Sequence, residues 1–577
     1  MPWIASGAEL SFPGPAYREK PNPFAGEFAQ PGGEITLYGY QPPKSFNYYL
    51  EVSTSARMLF DLLYENLLGT DAESADFVPG LAARWTISDD RRVFTFHLDP
   101  RARWSDGQPV TAHDVKWTAD AILEPKHLTG PHKVPLQRFE KIEVLDDATI
   151  RFTAREAHFN NLSGAGAFHI LPRHAFAGKD FNRINFEFPV VGGPYRLQEH
   201  QEHQHVILER NAQYWGRASP ASRGLHNFDR IKYRFFVEDE NAFDAFQKGE
   251  MDLMMVSMAD RWVRQMKGER YDKNWIVKQK VFNHDPQGFS GFVMNQRRPP
   301  FDDVRVRRAM ALLLDREDLL RTLMHNEYVP LETYFPTIWD DKPCPNPLLS
   351  FDPVRAAELL TEAGWTLDPA TGLRRKEGRI FSFNFLLASS SQEKYLVKFR
   401  EALRRAGVEL KVVQKDWASW SKDMDSYTFD MTWVSWSGTL PIFTDAEYLW
   451  HSKQKEVEAG QNFAGLADPR VDALIDGMRS EFDVARRVEA LRAIDALLFE
   501  QSPYILLWRA NYTRLAWWNK FGTPDSVLGK YGDEDQVPMY FWFDEDAAAD
   551  LEAARRAGRS LPSRPADLHF DRLPAPR

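Results

Sequence analysis

Residues 63–123 read LYENLLGTDAESADFVPGLAARWTISDDRRVFTFHLDPRARWSDGQPVTAHDVKWTADAIL, and the architecture is decided by how they are parsed. The stretch opens on a helical pattern that closes at Gly69. It then turns, passes Pro79-Gly80 and predicts a short helix running to Trp85. Val93-Phe94-Thr95-Phe96-His97-Leu98 alternates as a half-buried strand does. Asp106-Gly107 marks a tight turn. Thr111, with Asp114 three residues on, forms a variant capping box that starts the next helix.

Outward from this segment the chain keeps alternating. Residues 34–38 form a strand, and a loop over 39–49 leads into a helix over 50–68. Residues from about 60 to 190 read as an inserted region of short strands and helices. Strands follow at 206–209 and 231–236, then a helix over 240–248 closed by Gly249, then a strand over 252–256. Past Gly291 come a strand at 292–295, a helix from Val304, helices over 354–362 and 392–405, and strands over 379–387 and 408–415. This order predicts βαβ units and a mainly parallel sheet with helices on both faces. Asp468-Pro469 begins a long amphipathic pattern, and 483–500 sets Val484, Val488, Leu491, Ile494, Leu497 and Leu498 on one stripe. Residues 504–507 read as a buried strand. Residues 1–31, rich in Pro and Gly, are expected to be irregular, and the tail beyond one charged helix after 545 is expected to be loosely ordered.

A chain of 577 residues exceeds what one core usually supports, so two or more domains are expected. The net charge of -10, with no dense Lys/Arg block, argues against nucleic acid as a partner. Eighteen Trp, 19 Tyr and 40 Phe suit a cleft that grips varied ligands, and equally suit large cores. The single cysteine, Cys344, excludes an internal disulfide and a cysteine-based metal cluster. No segment reaches the ~20 apolar residues that span a bilayer.

Three phrases stand in order in the opening stretch: Ser88-Asp89-Asp90, then Thr95 to Leu98, then Trp104-Ser105-Asp106-Gly107-Gln108-Pro109-Val110-Thr111-Ala112-His113-Asp114-Val115. Further on come Gly192-Gly193-Pro194-Tyr195-Arg196-Leu197, Tyr214-Trp215-Gly216, and Ala245-Phe246-Gln247-Lys248-Gly249-Glu250-Met251-Asp252. Pro300-Phe301-Asp302-Asp303-Val304-Arg305-Val306-Arg307 and Phe351-Asp352-Pro353 through Ala363-Gly364-Trp365 complete the series. Together they resemble the extracytoplasmic solute-binding proteins of family 5, the peptide, oligopeptide and nickel binders of ABC importers. Asn462-Phe463-Ala464-Gly465-Leu466, Ala516-Trp517-Trp518-Asn519-Lys520-Phe521 and Tyr540-Phe541-Trp542-Phe543-Asp544 resemble the Yej-type subgroup, which serves importers of oligopeptides and peptide antibiotics.

The resemblance implies an α/β, two-lobed periplasmic-binding-protein fold of type II, with mixed sheets, an extra inserted subdomain and a hinge. One lobe would combine 32–283 with 505–545, the other would be 284–504, and 546–577 would add a helix and tail. Ligand would lie between the lobes, and the partners would be a peptide-like ligand and an inner-membrane ABC permease. The protein would be a periplasmic monomer without cofactor. Its opening residues are not a secretory signal as they stand, so a removed leader is expected, and no cysteine near the start offers a lipid anchor.

In relatives a strand-loop of the second lobe meets the ligand; its counterpart here is Phe429-Asp430-Met431-Thr432-Trp433-Val434-Ser435-Trp436-Ser437-Gly438. Alternation puts Trp433 and Ser435 on one face, Val434 and Trp436 on the other. Trp433, Trp436 and Ser437 are candidate contacts, with core packing as the alternative for both indoles. Peptide binders hold an ammonium with an Asp just after this strand. This chain has none directly after Gly438, so Asp445 is the nearest substitute, its alternative role being a helix N-cap. Tyr40, Ser45 and Asn47 sit on the loop after the first strand, at the carboxyl end of the sheet where α/β clefts bind ligands. Trp417 and Trp420 follow another strand, and Asn295 ends the crossing strand.

No G-x-S-x-G, Walker A, G-x-G-x-x-G or H-E-x-x-H motif occurs, so catalysis is not expected. His200, His203 and His205 read as an exposed loop rather than a metal site, and Met251 to Met258 as a buried strand. The rivals to a peptide binder are an oligosaccharide binder, since tryptophans stack on sugar rings, an enzyme using the same cleft, and a signalling receptor.

Overall fold

Ile35 and Leu37 alternate inward along the Glu34–Tyr38 strand, which pairs in parallel with Arg230–Arg234 on one side and Leu253–Met255 on the other. The computed structural model describes residues 10–11, 19–50, 53–183 and 189–572, so parts of the expected irregular N-terminus and the last residues of the tail lie outside the described residues. The chain divides into two units, one of residues up to Asp285 with Tyr512 onward, the other Pro286–Asn511.

In the first unit the Glu34–Tyr38 strand belongs to an eight-stranded mixed sheet among the described residues. Its order is Asp567–His569, Ile276–Phe282, Thr513–Trp518, Leu253–Met255, Glu34–Tyr38, Arg230–Arg234, His205–Arg210 and Tyr195–Gln201. The Asp239–Lys248 helix ends on Gly249 with φ 82°, a conformation that glycine adopts without cost. It delivers the chain to buried Asp252, which accepts from Thr36 N at 2.8 Å and pairs with Lys520 at 2.6 Å. A second, antiparallel sheet sets Ala82–Ile87, Val93–Leu98, Thr149–Ala154 and Phe139–Asp146 side by side.

The second unit is built on a five-stranded sheet ordered Glu409–Gln414, Ser382–Leu387, Met431–Trp436, Phe289–Met294 and Tyr504–Leu506. Its inner strands bury apolar side chains on both sides, as a sheet covered on both faces requires, while the edge strand Glu409–Gln414 exposes Glu409, Lys411 and Gln414. Phe292, Met294, Phe385, Leu387 and Ile505 face one core, while Phe289, Val293, Leu386, Tyr504 and Leu506 face the other. Helices cover these faces, and their starts explain several of the motif aspartates. Asp303, Asp352, Asp468 and Asp483 each cap a helix by accepting a backbone N–H from its first turn.

Four expectations are corrected. The short helix to Trp85 is the strand Ala82–Ile87, because Trp85 and Ile87 alternate into the core against Phe96 and Phe94. The helix over 50–68 is Thr54–Leu63 alone. Beyond it the backbone at Asn66 and Leu67 lies against Gly80, where a Cβ would come within 2.5 Å of Asn66 O, and Leu68–Thr70 turns into a strand. The sheet of the second unit is mixed, for Phe289–Met294 pairs antiparallel with both neighbours. Part of the tail is ordered into the fold: Asp567–His569 extends the large sheet in parallel beside Ile276–Phe282. The capping box stands as expected, with the Asp114 carboxylate accepting from Thr111 N at 2.8 Å.

Candidate functional site

In the first unit the sequence candidates cluster after the Glu34–Tyr38 strand. Tyr40 leaves the strand with φ 54°, the left-handed region that a bulky residue enters only when its surroundings impose it. Its ring packs on Tyr38 at 4.4 Å, and its hydroxyl donates to Glu534 Oε1 at 2.5 Å. Ser45 and Asn47 are turned inward. Ser45 Oγ accepts from Asn47 N, Asn47 Nδ2 donates to Phe181 O, and Asn47 Oδ1 accepts from Tyr49 N. Both side chains are buried and their hydrogen bonds shape the loop.

Glu534 belongs to the run Asp533-Glu534-Asp535, which sequence reading passed over. Asp533 caps the short turn by accepting from Asp535 N at 3.0 Å. Burial, together with the charges of Asp533 and Asp535, pushes the Glu534 carboxyl up to about 8, against the lowering effect of the Tyr40 bond. Burial and Asp533 also push Asp535 up, with Arg57 opposing.

In the second unit the Met431–Trp436 strand alternates as expected. Trp433 packs among Phe292 at 5.6 Å, Tyr395 at 5.4 Å and Trp508 at 5.8 Å, on the face that Phe292 and Phe385 share. Trp436, on the opposite side, donates from Nε1 to Tyr504 Oη at 3.2 Å and stacks on Phe463 at 5.4 Å. Its outer surface stays half-buried, and Ser437 beyond it is exposed. Two glycines let a neighbouring strap run here in backbone contact: a Cβ on Gly288 would sit 1.7 Å from Trp436 O, and one on Gly438 2.2 Å from Pro286 O.

The remaining candidates divide. Trp417, 68% exposed, stacks on Trp420 at 4.9 Å at the start of the Trp417–Asp425 helix. Trp420 Nε1 donates to Thr432 Oγ1 at 3.1 Å, which fixes the pair to the sheet. Asp445 accepts from Glu447 N at 3.0 Å just ahead of the Glu447–Trp450 helix, whose N-cap is Ala446. Asn295 is turned inward. It is fully buried, and its Nδ2 donates to Tyr427 O and Phe429 O while its Oδ1 accepts from Arg297 N. It braces the strand end and has no amide hydrogen left for a ligand.

Among the described residues no group of three or more His, Cys, Asp or Glu is placed to hold a metal ion, and no helix is long and apolar enough to cross a membrane. His203 sits at the exposed tip of the hairpin linking Tyr195–Gln201 to His205–Arg210.

Residues 76–456 match the middle segment of the bacterial extracellular solute-binding proteins, family 5. The chain is 26% identical to the uncharacterized protein YejA of Escherichia coli (strain K12), over 92% of each chain. It is 26% identical to the peptidoglycan-binding protein YepA of Agrobacterium fabrum (strain C58), over 87% of this chain and 89% of that one. Among solved structures, the oligopeptide-binding protein AppA of Bacillus subtilis, in complex with a nonapeptide, matches with TM-score 0.70 and 21% identity, covering 90% of this chain and all of AppA (100%). The α/β binding-protein fold with mixed sheets implied by the sequence motifs is therefore the fold found.

Proposed function

This chain belongs to the bacterial extracellular solute-binding proteins of family 5, and from that premise we propose that it captures a peptide or peptide-like ligand in the periplasm, as a monomer, and delivers it to an ABC permease of the inner membrane. The observation that carries this is the family match over residues 76–456, in a chain that aligns almost end to end with Yej-type relatives. Family and fold are those of substrate-binding proteins rather than enzymes.

Within this proposal each unit supplies its own contacts. In the second unit Trp436, Ser437 and the Trp417–Trp420 pair offer aromatic surface and hydrogen-bonding groups near strand ends, which accommodates varied side chains. In the first unit Tyr40, held off the strand by Glu534, is the candidate. Trp433 and Asp445 complete the candidate contacts, the first engaged in core packing and the second in a bond from Glu447 N.

Native mass spectrometry of the purified protein, followed by denaturation and sequencing of what it carried, tests the proposal. Peptides of mixed sequence are expected. A discrete sugar mass would replace the peptide reading with an oligosaccharide one. If the protein is empty, a thermal-shift screen follows, in which ligand at 100-fold excess over Kd adds about 2.7 kcal/mol of stability. No response to any peptide there would overturn the proposal.

A further inference from the structure

We infer that the polar cluster of Tyr40, Asp61, Tyr233, Glu534 and Asp535 in the first unit holds a positively charged group of the ligand, an ammonium or a guanidinium. The inference rests on the proposal of a peptide-like ligand and adds the charge that such a ligand carries.

The cluster is assembled from segments far apart in the chain: the loop after Glu34–Tyr38, the Thr54–Leu63 helix, the Arg230–Arg234 strand and the turn at Glu534–Gln536. It is rich in carboxylates and poor in groups that neutralise them. Glu534 accepts from Tyr40 Oη. Asp535 meets Arg57 at 3.9 Å, a long contact with an arginine whose side chain is more than half exposed. Asp61 is bonded to His169 Nε2 at 2.9 Å. Asp61 is more than half exposed, whereas Glu534 and Asp535 are partly withdrawn from water beside each other, which is costly unless a cation or further donors join them.

An independent sign comes from Tyr233. It is 1% exposed, its hydroxyl has no hydrogen-bond partner among the described residues, and it lies within electrostatic reach of Asp535, Asp61 and Glu534. A buried hydroxyl left without a partner costs free energy that a further polar group beside it recovers. An N–H donor of a cationic group would give Tyr233 Oη a bond to accept, while its other hydrogens serve the carboxylates. The raised carboxyls of Glu534 and Asp535 agree with a site that is short of positive charge when empty.

The test is calorimetric binding of the tetrapeptides Ala-Ala-Lys-Ala and Ala-Ala-norleucine-Ala, each with a free and an acetylated amino terminus. The wild-type protein is expected to bind the charged forms about 10-fold or more tightly than the neutral one. Loss on acetylation assigns the cluster to the peptide's amino terminus, and loss on replacing lysine assigns it to a side chain; either supports the inference. Glu534→Gln combined with Asp535→Asn should erase the preference while neutral peptide still binds. The single Glu534→Gln variant keeps an acceptor for Tyr40 and serves if the double variant does not fold. Equal binding of all four peptides by the wild type would overturn the inference and leave peptide capture standing. If no peptide binds, the Glu534 carboxyl is titrated by carbon-13 NMR in methylguanidinium chloride and in sodium chloride of equal strength. A lower midpoint in methylguanidinium would then sustain the cation site while the peptide reading falls; an unchanged midpoint would overturn both.

Discussion

The carboxylate of Asp495, in the second unit, accepts from Tyr334 N at 2.8 Å, Thr333 Oγ1 at 2.8 Å, Asn346 Nδ2 at 3.0 Å and Trp339 Nε1 at 3.1 Å. The carboxylate of Glu534, in the first unit, accepts from Tyr40 and faces the like charges of Asp533 and Asp535. Burial raises both acids. Asp495 is nonetheless a finished node, in which neutral donors from the 333–346 loop replace the water it lost. Glu534 is an unfinished one. Buried polar groups that are fully satisfied hold a structure together, whereas those left short are where a ligand gains most by binding.

The largest expected effect tests the finished side. Asp495→Ala strips those donors of their acceptor at once, and should lower unfolding stability by about 4 kcal/mol, read as a fall in the urea midpoint. A loss below about 1 kcal/mol would show that the node is not as complete as its geometry implies.

The next effect tests the unfinished side through pH. Glu534 is held at about 8 in the folded protein against an ordinary 4.5. The folded state therefore keeps the proton longer than the unfolded chain does. This contribution is fully present below the unfolded value and is lost as pH rises through the folded one. Tyr40, Asp533 and Asp535 face the group directly, and Arg57 and Asp61 act on it through Asp535. The ligand-free protein should lose on the order of 3 kcal/mol between about pH 5 and pH 8 through this group, and Glu534→Gln should reduce the slope without abolishing it, because the raised Asp535 carboxyl titrates over the same range. A cationic ligand selects the ionised form, so its affinity should rise over the same range. A wild-type slope matching that of the variant would remove Glu534 from the comparison.

Two smaller effects sharpen it. Asn295→Ala removes one of the two donors to Tyr427 O and Phe429 O, Arg298 Nη2 being the other, and should cost about 1 kcal/mol, with no change in ligand preference, since the residue is sealed in. Trp417→Ala removes an exposed ring and should move stability by no more than about 0.5 kcal/mol. Its readout is peptide affinity; an unchanged affinity would strike Trp417 from the contacts.

Local pattern carried much of this fold. Alternation in 34–38 and 93–98, the Thr111 box and the Asp-first helix starts are written in neighbouring residues, and they formed where expected. The segment ending at Trp85 went astray because a few alternating apolar residues suit a short helix or a strand, and pairing with Val93–Leu98 decided between them. At the site, the two faces of Met431–Trp436 were legible from period two. The fates of Ser45, Asn47 and Asn295 were not, because a polar residue in a loop carries no mark of which backbone groups will claim it.

The sequence by itself determined the family, most of the order of strands and helices, and the aromatic strand end around Trp436, all of which depend on residue types at short spacing. Tertiary structure alone decided which polar groups are satisfied. Tyr40 and Glu534 meet across 494 positions, and Tyr233 reaches their neighbourhood from a third segment. Desolvation and Coulomb interaction depend on everything packed around a group, so the missing positive charge at this cluster exists only once the chain has folded.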